Sequence, residues 1–324
     1  MLPAVTGNVQ KRPCNYFIQD LNRVNSAEYM LNRTSNGANM NSKLLLFSIL
    51  ILVVSNLSFR WPLDNGVITS TFGESRGDHF HDGIDMISPS DNVYPVKDGT
   101  LLYAWNKSFF PLENYWGGGN YKIIAHDNGI MSVYMHLQDI DSLKLNYSNS
   151  DVVGLVGNTG HSYGKHIHFS ILDIEKKESI NPMKLLPVHN DQKAPEIYNF
   201  YIKIDDRYIR INDNSDIRLT KHYPLLVEIK DTIKGNENLG IYRIKALFNG
   251  KDAGDHEFSK INYSANGLVV NNRIFPDLFD EKGYYKLSGL VFNEGINTLA
   301  VTVSDFNGNT SEKVFTVNVN LDIQ

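Results

Sequence analysis

The pattern of apolar and polar positions divides the chain into four stretches. Residues 42–58 (S-K-L-L-L-F-S-I-L-I-L-V-V-S-N-L-S) carry an apolar run behind Lys43. The run is about a dozen residues long, too short for a comfortable bilayer span and the right length for a signal-peptide core. From Trp61 to Pro187, short β-forming runs such as Tyr121–Ala125 and Met131–Tyr134 alternate with turn signals, among them Asp127-Asn128-Gly129. No amphipathic helix of more than two turns stands out, so this region predicts an antiparallel β domain with long loops. The stretch His189–Pro195 is polar, has no apolar period and contains a proline, which predicts an interdomain linker.

Beyond the linker, strands are expected near Tyr198–Ile204, Leu225–Asp231, Ile241–Phe248, Tyr284–Phe292, Asn297–Ser304 and Lys313–Leu321. The last two alternate cleanly, with Leu299, Val301 and Val303 on one face and Phe315, Val317, Val319 and Leu321 on the other strand's inner face. Asn307-Gly308 between them predicts a tight hairpin. An immunoglobulin-like β-sandwich of about seven strands fits this pattern.

The expected organisation is therefore a signal peptide over 40–58, a β domain over 59–188, a linker over 189–195 and a sandwich over 196–324, each half with its own core. Met40 followed by Asn41, Ser42 and Lys43 places a start directly before the apolar run. Residues 1–39 then read as upstream sequence from a misplaced start or as an extension, with cleavage near Ser55–Ser58. The alternative is an N-terminal anchor helix with a short cytoplasmic tail. On either reading the remainder is exported, to the periplasm, the cell envelope or the medium.

Composition narrows the chemistry. The 324 residues are 42% hydrophobic and 21% charged, enough apolar content to bury cores. A formal charge of −5 argues against a general nucleic-acid binder. The single cysteine, Cys14, excludes an internal disulfide framework and a cysteine-rich zinc ribbon, so a metal site must use His, Asp and Glu. Seven of the ten histidines fall between His79 and His168.

Three pieces of that region carry chemistry: His81-Asp82-Gly83-Ile84-Asp85, Tyr134-Met135-His136-Leu137, and His166-Ile167-His168 after a glycine-rich approach, Gly154 to Gly160. On a strand, residues two apart share a face, which pairs His166 with His168. Such a pair suits two metal ligands, or one ligand beside a base. A His and an Asp four residues apart, with a glycine between them, can converge on one ion. Two histidines and one carboxylate leave a fourth tetrahedral position for water, the layout of a catalytic zinc site.

In this order these residues resemble the lysostaphin-type zinc endopeptidases, metallopeptidase family twenty-three, which cut peptide cross-links in bacterial cell walls. The likeness runs from Thr71-Phe72-Gly73 through the three pieces above, with Pro95-Val96, Asp98-Gly99, Gly119-Asn120 and Gly157-Asn158-Thr159-Gly160 between them, to Phe169. The resemblance implies one zinc ion on His81, Asp85 and His168. It implies that His136 and His166 handle the attacking water and the oxyanion, and that the substrate is peptidoglycan stems or cross-bridges. Tyr134, His79 and Asn120 are expected to line the substrate groove. Tyr115 to Asn120 departs from the simpler Gly-Tyr-Gly-Asn turn common in the family. A non-enzymatic wall-binding or regulatory member, or a zinc peptidase acting on secreted proteins, are the rival readings. The sandwich lies outside the shared unit and could contact the wall or a protein partner.

Two further strings do not survive inspection. Gly73 to Gly77 spells G-x-S-x-G, yet the residues after it cannot begin the helix that a nucleophile elbow needs. Asp305-Phe306-Asn307-Gly308-Asn309 resembles half a calcium loop, but a hairpin turn accounts for it with less.

Overall fold

The computed structural model describes residues 59–322, apart from 115–116, 139–142, 189, 234–235 and 266. The expected signal segment over 40–58 and the extension over 1–39 lie outside the described residues. Among the described residues no helix is long and apolar enough to cross a membrane.

The strand Ile167–Asp173 is buried along its whole length, as its run I-H-F-S-I-L-D suggests for a strand covered on both faces. It pairs antiparallel with Ile130–Leu137 on one side. On the other side its first half pairs with Ile84–Ile87 and its second half with Glu178–Ile180. The sheet continues from Ile130–Leu137 through Asn120–Ala125 and Gly99–Trp105 to Asn146–Tyr147, while Val67–Ser70 extends the Ile84–Ile87 side. Eleven strands make up this sheet, and the predicted antiparallel β class is what the chain adopts.

The other edge departs from the expected division. Glu178–Ile180 pairs with Lys260–Ser264, and Gly267–Val270 and Arg273–Ile274 follow in order. These three strands come from the C-terminal segment, so one sheet crosses the boundary expected at 189–195. Lys260 and Asn262 both reach Glu178 Oε2, at 2.7 and 3.0 Å. Phe258 and Ile261 join the same buried cluster as Ile84, Phe169 and Ile171. The physical reason is edge coverage: an open strand edge with unpaired backbone groups is a liability, and the C-terminal hairpin closes it. Local sequence pattern carries no trace of which distant strand does so.

The rest of the C-terminal segment forms two five-stranded sheets. One orders Arg207–Ile211, Glu196–Ile204, Leu225–Ile233 and Asn236–Leu239, with Tyr285–Leu287 also on Leu225–Ile233. The other orders Ser215–Leu219, Thr310–Leu321, Gly295–Ser304, Arg243–Phe248 and Lys251–Glu257. Phe200 of the first stacks on Phe315 of the second at 4.6 Å. Ser215–Leu219 runs parallel to Thr310–Leu321. The expected strand Tyr284–Phe292 is reduced to Tyr285–Leu287, with Gly289 at φ +75° just beyond. The hairpin at Asn307-Gly308 is wider than a two-residue turn: Ser304 faces Thr310, and Asp305 caps the loop by accepting from Asn309 N–H at 2.9 Å. The linker docks here, with Asp191 C=O accepting from the side chains of Asn307 and Asn309, both at 3.1 Å.

Candidate active site

Strand register brings the three expected metal ligands together. Asp85 on Ile84–Ile87 lies directly opposite His168 on Ile167–Asp173. His81 enters from the loop just before Ile84. Gly83 between them is a place where a side chain does not fit: a Cβ there would lie 2.5 Å from Phe169 O and 2.7 Å from His168 Nε2. The H-x-G-x-D spacing is thus the route by which the chain passes beneath His168.

The three side chains present one atom each to a common point. His81 Nε2 lies 3.1 Å from Asp85 Oδ1 and 3.0 Å from His168 Nδ1, and His168 Nδ1 lies 3.0 Å from Asp85 Oδ1. All three residues are buried. The remaining nitrogen of each imidazole has its own partner. His81 Nδ1–H donates to Thr71 C=O at 2.7 Å, and His168 Nε2 meets Ser170 Oγ at 2.8 Å and Asp82 Oδ1 at 3.4 Å. Asp85 Oδ2 is held by Arg76.

This donor set fits zinc. Tetrahedral zinc with bonds of about 2.1 Å separates its ligand atoms by about 3.4 Å, a few tenths of an ångström wider than this triangle. Outer partners that fix each imidazole's tautomer are the usual support of such a site. Burial disfavours the ionised form of Asp85, but the adjoining His81 and His168 outweigh it and hold the carboxyl well below its usual range. Burial also works against a charged His168, yet Asp82 and Asp85 prevail and push it up to about 9.

His136 and His166 flank the triangle. Their rings are 4.8 Å apart, and His166 Nε2 is 3.8 Å from Asp85 Oδ1. Each has Nδ1–H donated to a backbone carbonyl, His136 to Thr159 and His166 to Gly164, both at 2.8 Å. That tautomer leaves Nε2 as the lone-pair nitrogen on both rings. Burial, with His168 adding to it, pushes His136 down to about 4, so the ring is neutral at pH 7.

Two of the expected groove residues sit elsewhere. Tyr134 is fully buried, accepts from Val96 N–H at 2.9 Å and packs on Phe169. It does not share a face with His136, because His136 has φ +61° and the pairing with Asn120–Ala125 shifts register there, which breaks the alternation. Asn120 is also fully buried, and its N–H donates to Thr159 Oγ1 at 2.9 Å. It therefore supports the segment that holds His136 and does not line a groove. His79 lies on the loop that carries Arg76, one third exposed, with Nδ1 2.6 Å from Asp78 Oδ1. His126 bonds Asp98 C=O and Ser132 Oγ, away from the triangle.

The sequence reading missed Arg76, Asp82, Thr71 and Ser170. Ser170 was within reach of the period-two rule that paired His166 with His168. Arg76 and Thr71 reach the site only through loop geometry.

The model of peptidase family M23 matches residues 79–182. The chain is 31% identical over 118 residues to the DD-carboxypeptidase/endopeptidase Mpg of Neisseria meningitidis, covering 36% of this chain and 24% of that one. It is 31% identical over 126 residues to the peptidoglycan DD-endopeptidase ShyA of Vibrio cholerae, covering 38% and 27%. A solved zinc-containing peptidase from Vibrio cholerae is 28% identical with a TM-score of 0.34, covering 40% of this chain and 41% of that one. The chain spans about a quarter of the length of the curated relatives it matches. Residues 79–182, which contain every member of the His–Asp–His triangle, are thus the part of this chain that matches peptidase family M23.

Proposed function

We propose that this protein is an exported zinc-dependent endopeptidase that hydrolyses peptide cross-links of peptidoglycan. One observation carries the reading: His81 Nε2, Asp85 Oδ1 and His168 Nδ1 converge to within 3.1 Å of one another beside two histidines, His136 and His166, whose Nδ1 atoms are tied to backbone carbonyls. The names of the relatives, a DD-carboxypeptidase/endopeptidase and a peptidoglycan DD-endopeptidase, support the substrate class. An envelope location follows from that substrate and from the apolar run at 42–58.

His81, Asp85 and His168 would hold the ion, which when bound supplies Lewis acidity and brings a water's pKa to about 7. His136, neutral and with its lone pair on Nε2, accepts a proton from the attacking water. His166, held in the same tautomer by Gly164, faces the same space, where its Nε2 lone pair accepts from the attacking water or from the leaving amine's N–H. Arg76 draws Asp85 Oδ2 aside and keeps Oδ1 turned inward.

The test is incubation with purified peptidoglycan, with and without a chelator, followed by mass analysis of the fragments. New free amines at cross-links, absent with chelator, are the expected result; intact cross-links with zinc-loaded protein would overturn the reading. Cleavage of secreted proteins in place of wall fragments would favour the second peptidase reading. Export is checked by N-terminal sequencing of the mature protein, expected to begin between Asn56 and Trp61.

A further inference from the structure

We infer that the C-terminal segment is part of the metal centre, with Gly240 as a positioning residue for the ligand His81. The inference rests on the zinc-site reading above and extends it to a segment outside the matched family unit.

On the side away from the triangle, His81 is held mainly by residues 71–74, with Ser70 Oγ a longer contact 3.5 Å from Nδ1. Its Nδ1–H donates to Thr71 C=O at 2.7 Å, its N–H donates to Glu74 C=O at 2.9 Å, and its C=O accepts from Gly73 N–H at 2.7 Å. The opposite side of this loop is clamped by the C-terminal segment. Gly240 N–H lies 2.9 Å from Thr71 Oγ1 and 3.2 Å from Glu74 Oε2, and the Thr71 hydroxyl is 3.1 Å from Gly240 C=O. Glu74 Oε2 also accepts from Thr71 N–H at 2.9 Å and closes the loop on itself. Phe258 covers Gly73 so closely that a Cβ there would meet its ring at 2.6 Å.

Gly240 is itself held in place. The next residue, Ile241, donates its N–H to Tyr285 Oη at 3.2 Å, and Tyr242 N–H donates to Ser304 C=O at 2.9 Å. The path from the sandwich to the first ligand is therefore short: Gly240, Thr71, His81. Glu74, the other partner of Gly240 in the loop, lies 3.8 Å from Arg76, which holds Asp85. A Cβ at Gly240 would lie 2.7 Å from Glu74 Cβ and 2.9 Å from Thr71 Oγ1, so any side chain there pushes on the loop.

Outer partners of metal ligands are worth about 10–100-fold in metal affinity. The experiment uses the full chain and two variants of graded severity, Thr71→Val, which removes the hydroxyl and keeps the carbonyl, and Gly240→Val, which displaces the loop. Lys260→Ala serves as the comparison, since it loosens the contact with Glu178 at the other side of the junction. Zinc affinity is read by competition with a chromophoric chelator, and ligand geometry by the visible spectrum of the cobalt-substituted protein. The expected result is a zinc Kd raised at least tenfold, with an altered cobalt spectrum, in Thr71→Val and Gly240→Val. Lys260→Ala is expected to melt earlier with both readouts unchanged. If Gly240→Val does not fold, Thr71→Val decides. Wild-type affinity and spectrum in the folded variants, or an equal change in Lys260→Ala, overturn the inference. Failure of the wild-type chain to bind zinc is a different outcome, and it removes the metal-site reading itself.

Discussion

Arg76 and Asp85 form an ion pair on the far side of the metal triangle: the guanidinium takes Oδ2, and Oδ1 alone is left facing His81 and His168. A carboxylate divided in this way can offer only one oxygen to an ion. The pair also offsets the negative charge that Asp85 keeps within a largely buried site.

Replacing Arg76 with Gln frees Oδ2. The cobalt-substituted variant is expected to show weaker visible absorption, as Asp85 becomes bidentate and the coordination number rises. Activity should fall by about 10–100-fold, the usual cost of losing an outer partner. Arg76→Lys, which keeps a cation at Oδ2, should recover part of both. An unchanged spectrum in Arg76→Gln would show that the ion pair does not govern how Asp85 binds.

The five motif residues should separate into two groups. His81→Ala, Asp85→Ala and His168→Ala are each expected to lose zinc together with activity. His136→Ala and His166→Ala should keep the metal while activity drops by about two to four orders of magnitude, the range of a positioned acid–base group. Zinc content and turnover of His166→Ala and His168→Ala, measured side by side, give the sharpest comparison. Loss of metal in His166→Ala with retention in His168→Ala would reverse the assignment.

A chain cut after residue 188 is expected to melt well below the full-length protein or to aggregate. The cut removes Lys260–Ser264 from the Glu178–Ile180 edge and strips Phe258 and Ile261 from the shared cluster, leaving an exposed strand edge. Thermal unfolding and size-exclusion chromatography of the two proteins check this. Equal melting temperatures would mean that the first segment folds independently.

Asp231 should make stability depend on pH. Burial raises its carboxyl to about 7, with Asp305 and Asp191 adding to the effect and the Thr232 N–H opposing it. The unfolded group titrates near 3.9. Between about pH 4 and 7 the folded state holds a proton that the unfolded state has released, so stability falls as pH rises across that window. Asp231→Asn keeps an acceptor for Thr232 N–H and removes the charge. Its melting temperature should gain on the wild type at pH 8 and not at pH 4, and an equal difference at both values would argue against the assignment.

The local sequence determined the β class, most of the strands and the five histidine and aspartate positions, because each of those rests on short-range periodicity or on a motif with fixed spacing. His81 and Asp85 are tied by four residues of chain, and alternation pairs His168 with His166, while only the resemblance to the lysostaphin-type enzymes singles out His168 as the ligand. Tyr134 and Asn120 show where such reasoning fails: a single residue at φ +61°, His136, turns one strand's alternation over, and no composition rule announces it. The partners that give the site its character were decided by tertiary structure alone. Arg76 reaches Asp85 through a loop, Thr71 reaches His81 across ten residues, and Gly240 meets Thr71 across 169. Contacts at that separation depend on which sheet edge needs covering and which loop folds under which strand, and those are properties of the packed chain and not of any window along it.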